Sequence, residues 1–67
     1  MIEVPWEKYG SKWRAKEGRY TLIKELRAGS EVYSVYEGDA LIKNNLKYFD
    51  MLGVVRQIRE KGYYLGK

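Results

Sequence analysis

The residues of this chain best suited to chemistry lie in Trp6-Glu7-Lys8-Tyr9-Gly10-Ser11-Lys12-Trp13-Arg14-Ala15-Lys16, where aromatic rings alternate with cations. Rings stack on bases, and lysine and arginine neutralise phosphates, so such interleaving suits single-stranded or groove binding of nucleic acid. The expected contact residues are Trp6, Tyr9, Lys12, Trp13, Arg14, Lys16 and Arg19. A structural role competes with this one. A small domain needs large rings in its core, and Trp6 and Trp13 would serve there with solvated lysines between them.

Two further groups stand out. Arg56, Arg59 and Lys61 fall on the outer side of an expected helix. A basic helix can lie in a major groove or across a phosphate backbone, which makes Arg56 and Arg59 secondary phosphate contacts. Cations near a helix C-terminus are also what the macrodipole favours without any ligand. The other group is Glu31, Tyr33, Tyr36 and Glu37, which reads as an alternative protein interface. Tyrosine is enriched at such interfaces, whereas carboxylates repel phosphate.

Catalysis finds little support. The chain has no histidine and no cysteine, which removes the commonest general base, the thiolate nucleophile, disulfides and imidazole or thiolate metal ligands together. The nine acids are scattered, no glycine-rich phosphate loop occurs, and neither a metal nor a cofactor is expected. A ribonuclease working through Lys, Arg and Tyr is a third reading; the leading expectation is a binding module that is not an enzyme.

Charge distribution sharpens the choice of partner. The net charge is +4, from 13 bases and nine acids. Residues 8–27 carry seven bases and two acids, residues 28–50 two bases and four acids, and residues 51–67 four bases and one acid. Two positive blocks flanking an acidic middle suit nucleic acid, DNA ahead of RNA, or an acidic protein surface. No apolar run approaches the roughly 18 residues of a membrane span, so no membrane partner is expected. The absence of cysteine and of a signal-peptide pattern points to the cytoplasm.

At 67 residues the chain is expected to be one small domain with a marginal core. Aromatic residues make up 15% of it and can stand in for a larger core, with self-association a second route. Gly10, Gly18, Gly29 and Gly38 recur at separations of 8, 11 and 9, the spacing of short strands joined by tight turns. Arg19–Leu26 and Glu31–Glu37, around a turn at Ala28-Gly29-Ser30, form the firmest expected element, a hairpin over about 19–37. Asp50 is placed to N-cap a helix from Met51 to Lys61 that ends at Gly62. Residues 40–49 read equally as the start of that helix or as a third strand after a turn at Asn44-Asn45. Residues 1–16 have no clean period and fit an edge strand, a short helix or an arm ordered by a partner. The expected class is α+β, a small antiparallel sheet covered by a C-terminal helix.

Two partial likenesses belong to this picture. Val54–Leu65 resembles the helix that follows the wing in mercury-resistance-type regulators, over about a fifth of the chain and without the helix-turn-helix that precedes it there. The hairpin followed by a helix resembles, in topology, the arm-binding domains of phage integrases. Short length, basic charge and aromatic richness likewise fit accessory proteins of phages and mobile elements. Fold likeness of this kind implies no particular function.

Overall fold

A computed structural model describes residues 2–65. Met1, the first residue of the segment read as an arm, and Lys67, counted in the basic C-terminal block, lie outside them. Five strands follow one another: β1 (Glu7–Tyr9), β2 (Lys12–Glu17), β3 (Tyr20–Arg27), β4 (Ser30–Glu37) and β5 (Ala40–Leu46). They form one antiparallel meander in the order β1-β2-β3-β4-β5, and α1 (Tyr48–Lys61) follows. The class is α+β, as expected, but the sheet is larger than the two or three strands read from the sequence.

The extra strands come from the glycine spacing. Each strand is joined to the next by a two-residue turn: Gly10-Ser11, Gly18-Arg19, Ala28-Gly29 and Gly38-Asp39. Two-residue hairpins need positive φ because only the mirror-image turns match the twist of the flanking strands. At the central hairpin Ala28 has φ 54° and Gly29 φ 81°. Ala28 therefore holds a left-handed conformation without the freedom of glycine, at about 1 kcal/mol.

The region left open between helix and strand divides at Lys47. Tyr33 pairs with Leu46, which keeps the chain in the sheet up to that residue. The pairing is irregular between Tyr33 and Val35, and Asn45 there adopts φ 56°. Asn44-Asn45 thus belongs to a distorted stretch of β5, not to a turn before a strand. With the strand running to Leu46, the helix starts at Tyr48, and Lys47 occupies the N-cap without a side-chain cap. Asp50 lies in the first turn, where its charge favours the dipole, instead of capping. Gly62 closes the helix in the left-handed conformation, its N–H donating to the Ile58 carbonyl at 2.7 Å. Of Val54–Leu65, only the part up to Lys61 is helical.

Antiparallel register places opposed residues on the same face. Ala15, Leu22 and Val35 are opposed in β2, β3 and β4, and all three are buried. Met51, Val54, Val55 and Ile58 of α1 meet them, joined by Tyr20 and Tyr33. Ile2, Val4 and Trp6 pack against the same core. Tyr64, after the helix, returns to Tyr20, its N–H donating to the phenol oxygen at 2.9 Å. No described helix is long and apolar enough to cross a membrane.

Candidate nucleic-acid interface

One side of the sheet is taken by α1 and the N-terminal segment. On the other side no described element lies. Alternation along the strands assigns this open face, and two cross-strand rows define it. Lys16, Thr21, Tyr36 and Leu41 form one row, and Glu7, Arg14, Ile23 and Ser34 the other. Tyr9 opposes Lys12 beside them. A concavity of about 350 Å³ lies on the face, with Tyr9, Arg14, Ile23, Ser34 and Tyr36 in its lining.

Lys12, Arg14 and Lys16 alternate along β2, so consecutive cations stand roughly 7 Å apart on one line. Their surroundings differ. The Lys12 ammonium lies 3.9 Å from Glu25 Oε1, a carboxylate shared with Arg27 at 3.4 Å. Arg27 also donates to Asn45 Oδ1 at 2.7 Å. The Lys16 ammonium makes a long contact of 3.4 Å to Thr21 Oγ1. Arg14 lies over an aromatic neighbour, with its guanidinium 4.3 Å from the Tyr9 ring centroid. Among the described residues nothing accepts a hydrogen bond from it or pairs with its charge.

The remaining sequence-predicted contacts are elsewhere. Trp6 and Trp13 lie on the helix side of the sheet, half-buried. Lys24 sits 5.2 Å from the Trp6 ring and 5.0 Å from Trp13, while Lys8 covers Trp13 at 4.3 Å. Trp6 also packs on Tyr33, with centroids 5.9 Å apart. The interleaved segment is therefore sorted by strand alternation: Tyr9, Lys12, Arg14 and Lys16 face one way, Lys8 and Trp13 the other.

Arg19 lies in a turn and reaches Glu37 at 3.5 Å. Arg56 is exposed on the helix, across the sheet from the open face. Arg59 is engaged internally. Its Nε and Nη2 donate to the two oxygens of Glu17 at 3.0 and 2.7 Å, and Nη2 also reaches the Glu3 carbonyl at 2.7 Å. Glu17 is 8% exposed but Arg59 is exposed, so this bidentate pair ties β2, the N-terminal segment and α1 together at the rim of the core. The hydrogen bonds to Glu17 raise the Arg59 pKa above its ordinary value.

The alternative protein-interface set is also dispersed. Tyr33 is 2% exposed and belongs to the core, its hydroxyl donating to Glu31 Oε1 at 2.8 Å. Burial, and then that hydrogen bond, push the Tyr33 phenol well above its ordinary pKa. Glu37 is paired with Arg19, and only Tyr36 of the four lies on the open face.

Thr21, Ile23, Glu25 and Ser34 of the open face were not singled out from sequence. The signal for them was the same alternation that divides Tyr33 and Val35 from Ser34 and Tyr36, extended across the neighbouring strand. No protein-family model, curated protein or solved structure matches this chain.

Proposed function

We propose that the chain is a small nucleic-acid-binding module, for DNA ahead of RNA, that docks through the open face of its sheet. The observation carrying this reading is that Tyr9, Lys12, Arg14 and Lys16 gather on the uncovered side of the β1–β2 hairpin. Three cations in a line on β2, one strand in from the edge of the five-stranded sheet, match a phosphate backbone. Side chains of a sheet strand can reach base edges in the major groove of B-DNA, about 12 Å wide, whereas the deep, narrow major groove of A-form RNA shuts side chains out. Lys12 and Lys16 contact phosphates, Arg27 extends the basic strip, and Arg56 and Arg59 take no part.

The direct test is fluorescence anisotropy of an end-labelled duplex across a salt series. Two or three phosphate contacts give log K against log salt a slope of about −2 to −3. Lys12→Ala and Lys16→Ala should each reduce that slope by about 1, while Arg56→Ala on the helix leaves it unchanged. Absence of binding by folded protein at low salt, or an affinity indifferent to salt, rejects the reading. Tryptophan fluorescence is a poor reporter here, because both tryptophans face the helix side.

A second reading, a small inhibitor or regulator that binds a larger protein, has one observation in its favour. The β4–β5 half of the open face carries Tyr36 and Leu41, the latter 49% exposed, and Glu25 lies between that half and the cations. Salt-insensitive capture of a protein by this face would support it.

A further inference from the structure

We infer that Arg14, placed over the Tyr9 ring, is the residue that reads sequence, and that it reads a guanine in the major groove of duplex DNA. This rests on the nucleic-acid reading above and assigns roles within it. Three observations carry the inference. First, Arg14 is the central cation of the β2 line, flanked two residues away on either side by Lys12 and Lys16. Lysines at the ends of a line can follow the phosphates while the middle side chain points into the groove.

Second, the other cations of the line and its neighbour on β3 have internal contacts. Lys12 and Arg27 share Glu25, and Lys16 touches Thr21, but the Arg14 guanidinium is without a hydrogen-bond or ion-pair partner among the described residues. Contact with the Tyr9 ring, 4.3 Å from its centroid, restricts where the guanidinium can go and leaves its N–H groups free. A planar fork held in place loses little freedom on binding a two-acceptor ligand. In the major groove guanine O6 and N7 form that pair of acceptors, and adenine, with one donor and one acceptor there, does not.

Third, the two tryptophans, the largest stacking platforms that single-stranded binding could use, are not beside these cations. Trp6 and Trp13 face the helix side, and of the open-face rings Tyr9 has Arg14 over one side and Tyr36 is half-buried. Readout of a paired base edge fits this geometry better than stacking of unpaired bases along a run of open rings.

The experiment is in vitro selection from a random-sequence duplex pool with wild-type protein and with Arg14→Lys, followed by anisotropy on the recovered duplex and on versions changed at each guanine. Lysine retains the charge and removes the two-pronged donor. Circular dichroism establishes that each variant is folded, and Tyr9→Leu provides a second variant that leaves Arg14 in place but removes its support. The expected result is a recovered sequence with a required guanine whose replacement weakens wild-type binding about tenfold. That ratio should fall towards one in Arg14→Lys and decrease in Tyr9→Leu. Lys12→Ala should weaken all duplexes alike. Salt-dependent binding with no preferred base, or a guanine preference that survives in Arg14→Lys, overturns the assignment and leaves the nucleic-acid reading standing. Failure of folded wild-type protein to retain any duplex at low salt overturns both.

Discussion

The two faces of the sheet treat polar groups in opposite ways. On the helix side, charge and hydroxyls are matched internally: Glu17 by Arg59, Tyr20 by the Tyr64 backbone and Tyr33 by Glu31. No buried side-chain nitrogen or oxygen among the described residues lacks a partner. On the open side Arg14 keeps its donors unused and Lys12 shares a carboxylate with Arg27. Satisfying buried polar groups favours folding, whereas leaving donors free at an uncovered surface retains them for a ligand. The helix side therefore supplies stability, and on the proposed reading the open side is where a ligand docks.

Substitutions at adjacent positions separate the two faces most strongly. Leu22 is fully buried against the helix, and Ile23 beside it is half-buried on the open face. Leu22→Ala should cost about 3 kcal/mol in urea unfolding, and Ile23→Ala about 1. Equal losses would mean that the open face is itself covered, for instance by a second copy.

Next in size is the Glu17–Arg59 pair, with an asymmetry that tests how buried it is. The Arg59 side chain is 40% exposed and Glu17 only 10%. Without Glu17, the guanidinium still reaches water; without Arg59, the carboxylate is left unpaired inside. Arg59→Ala should therefore destabilise by roughly 3 kcal/mol, and Glu17→Ala by about half of that.

A smaller effect is the alkaline limit of stability. Burial raises the phenol pKa of Tyr33 above its ordinary value of 10.0 and that of Tyr64 in the same direction. Above about pH 10 the unfolded chain then holds fewer protons than the folded one, so stability falls as pH rises. That stability is fully present below pH 10 and is lost toward the folded-state values. Thermal melting from pH 8 to 11 should show the fall in wild-type protein and a shallower one in Tyr33→Phe.

The smallest expected change lies in the turn joining β3 to β4. Ala28 sits at φ 54° ahead of Gly29, where asparagine is the better residue. Ala28→Asn should raise the urea midpoint by the equivalent of about 0.5–1 kcal/mol and leave both faces as they are.

Much of this division was readable in the chain, and the unreadable parts have definite causes. The central hairpin and the α+β class follow from glycine-bounded, β-branched and aromatic runs. β2 was obscured by Glu17: in Lys12-Trp13-Arg14-Ala15-Lys16-Glu17 the inward positions are Trp13, Ala15 and Glu17, and an inward carboxylate spoils the alternation. The residue that makes Glu17 acceptable is Arg59, 42 positions away, and no local pattern reveals it. The same pair occupies the Arg59 guanidinium, although the side chain stays 40% exposed. Residues 40–49 were ambiguous because the strand ends in a distorted stretch and only Lys47 separates it from the helix. Of the candidate site, strand alternation gathers Tyr9, Lys12, Arg14 and Lys16 on one face and puts the tryptophans interleaved with them on the opposite one.

The most direct test of the open face as the docking surface is backbone amide chemical-shift mapping by NMR during titration with a mixed-sequence duplex at low salt. Docking through this face predicts perturbations at Tyr9, Lys12, Arg14, Lys16, Thr21, Ile23 and Ser34, reversed by added salt, with Arg56, Gln57 and Glu60 of the helix unmoved. Perturbations confined to the helix, or none in folded protein, would contradict it.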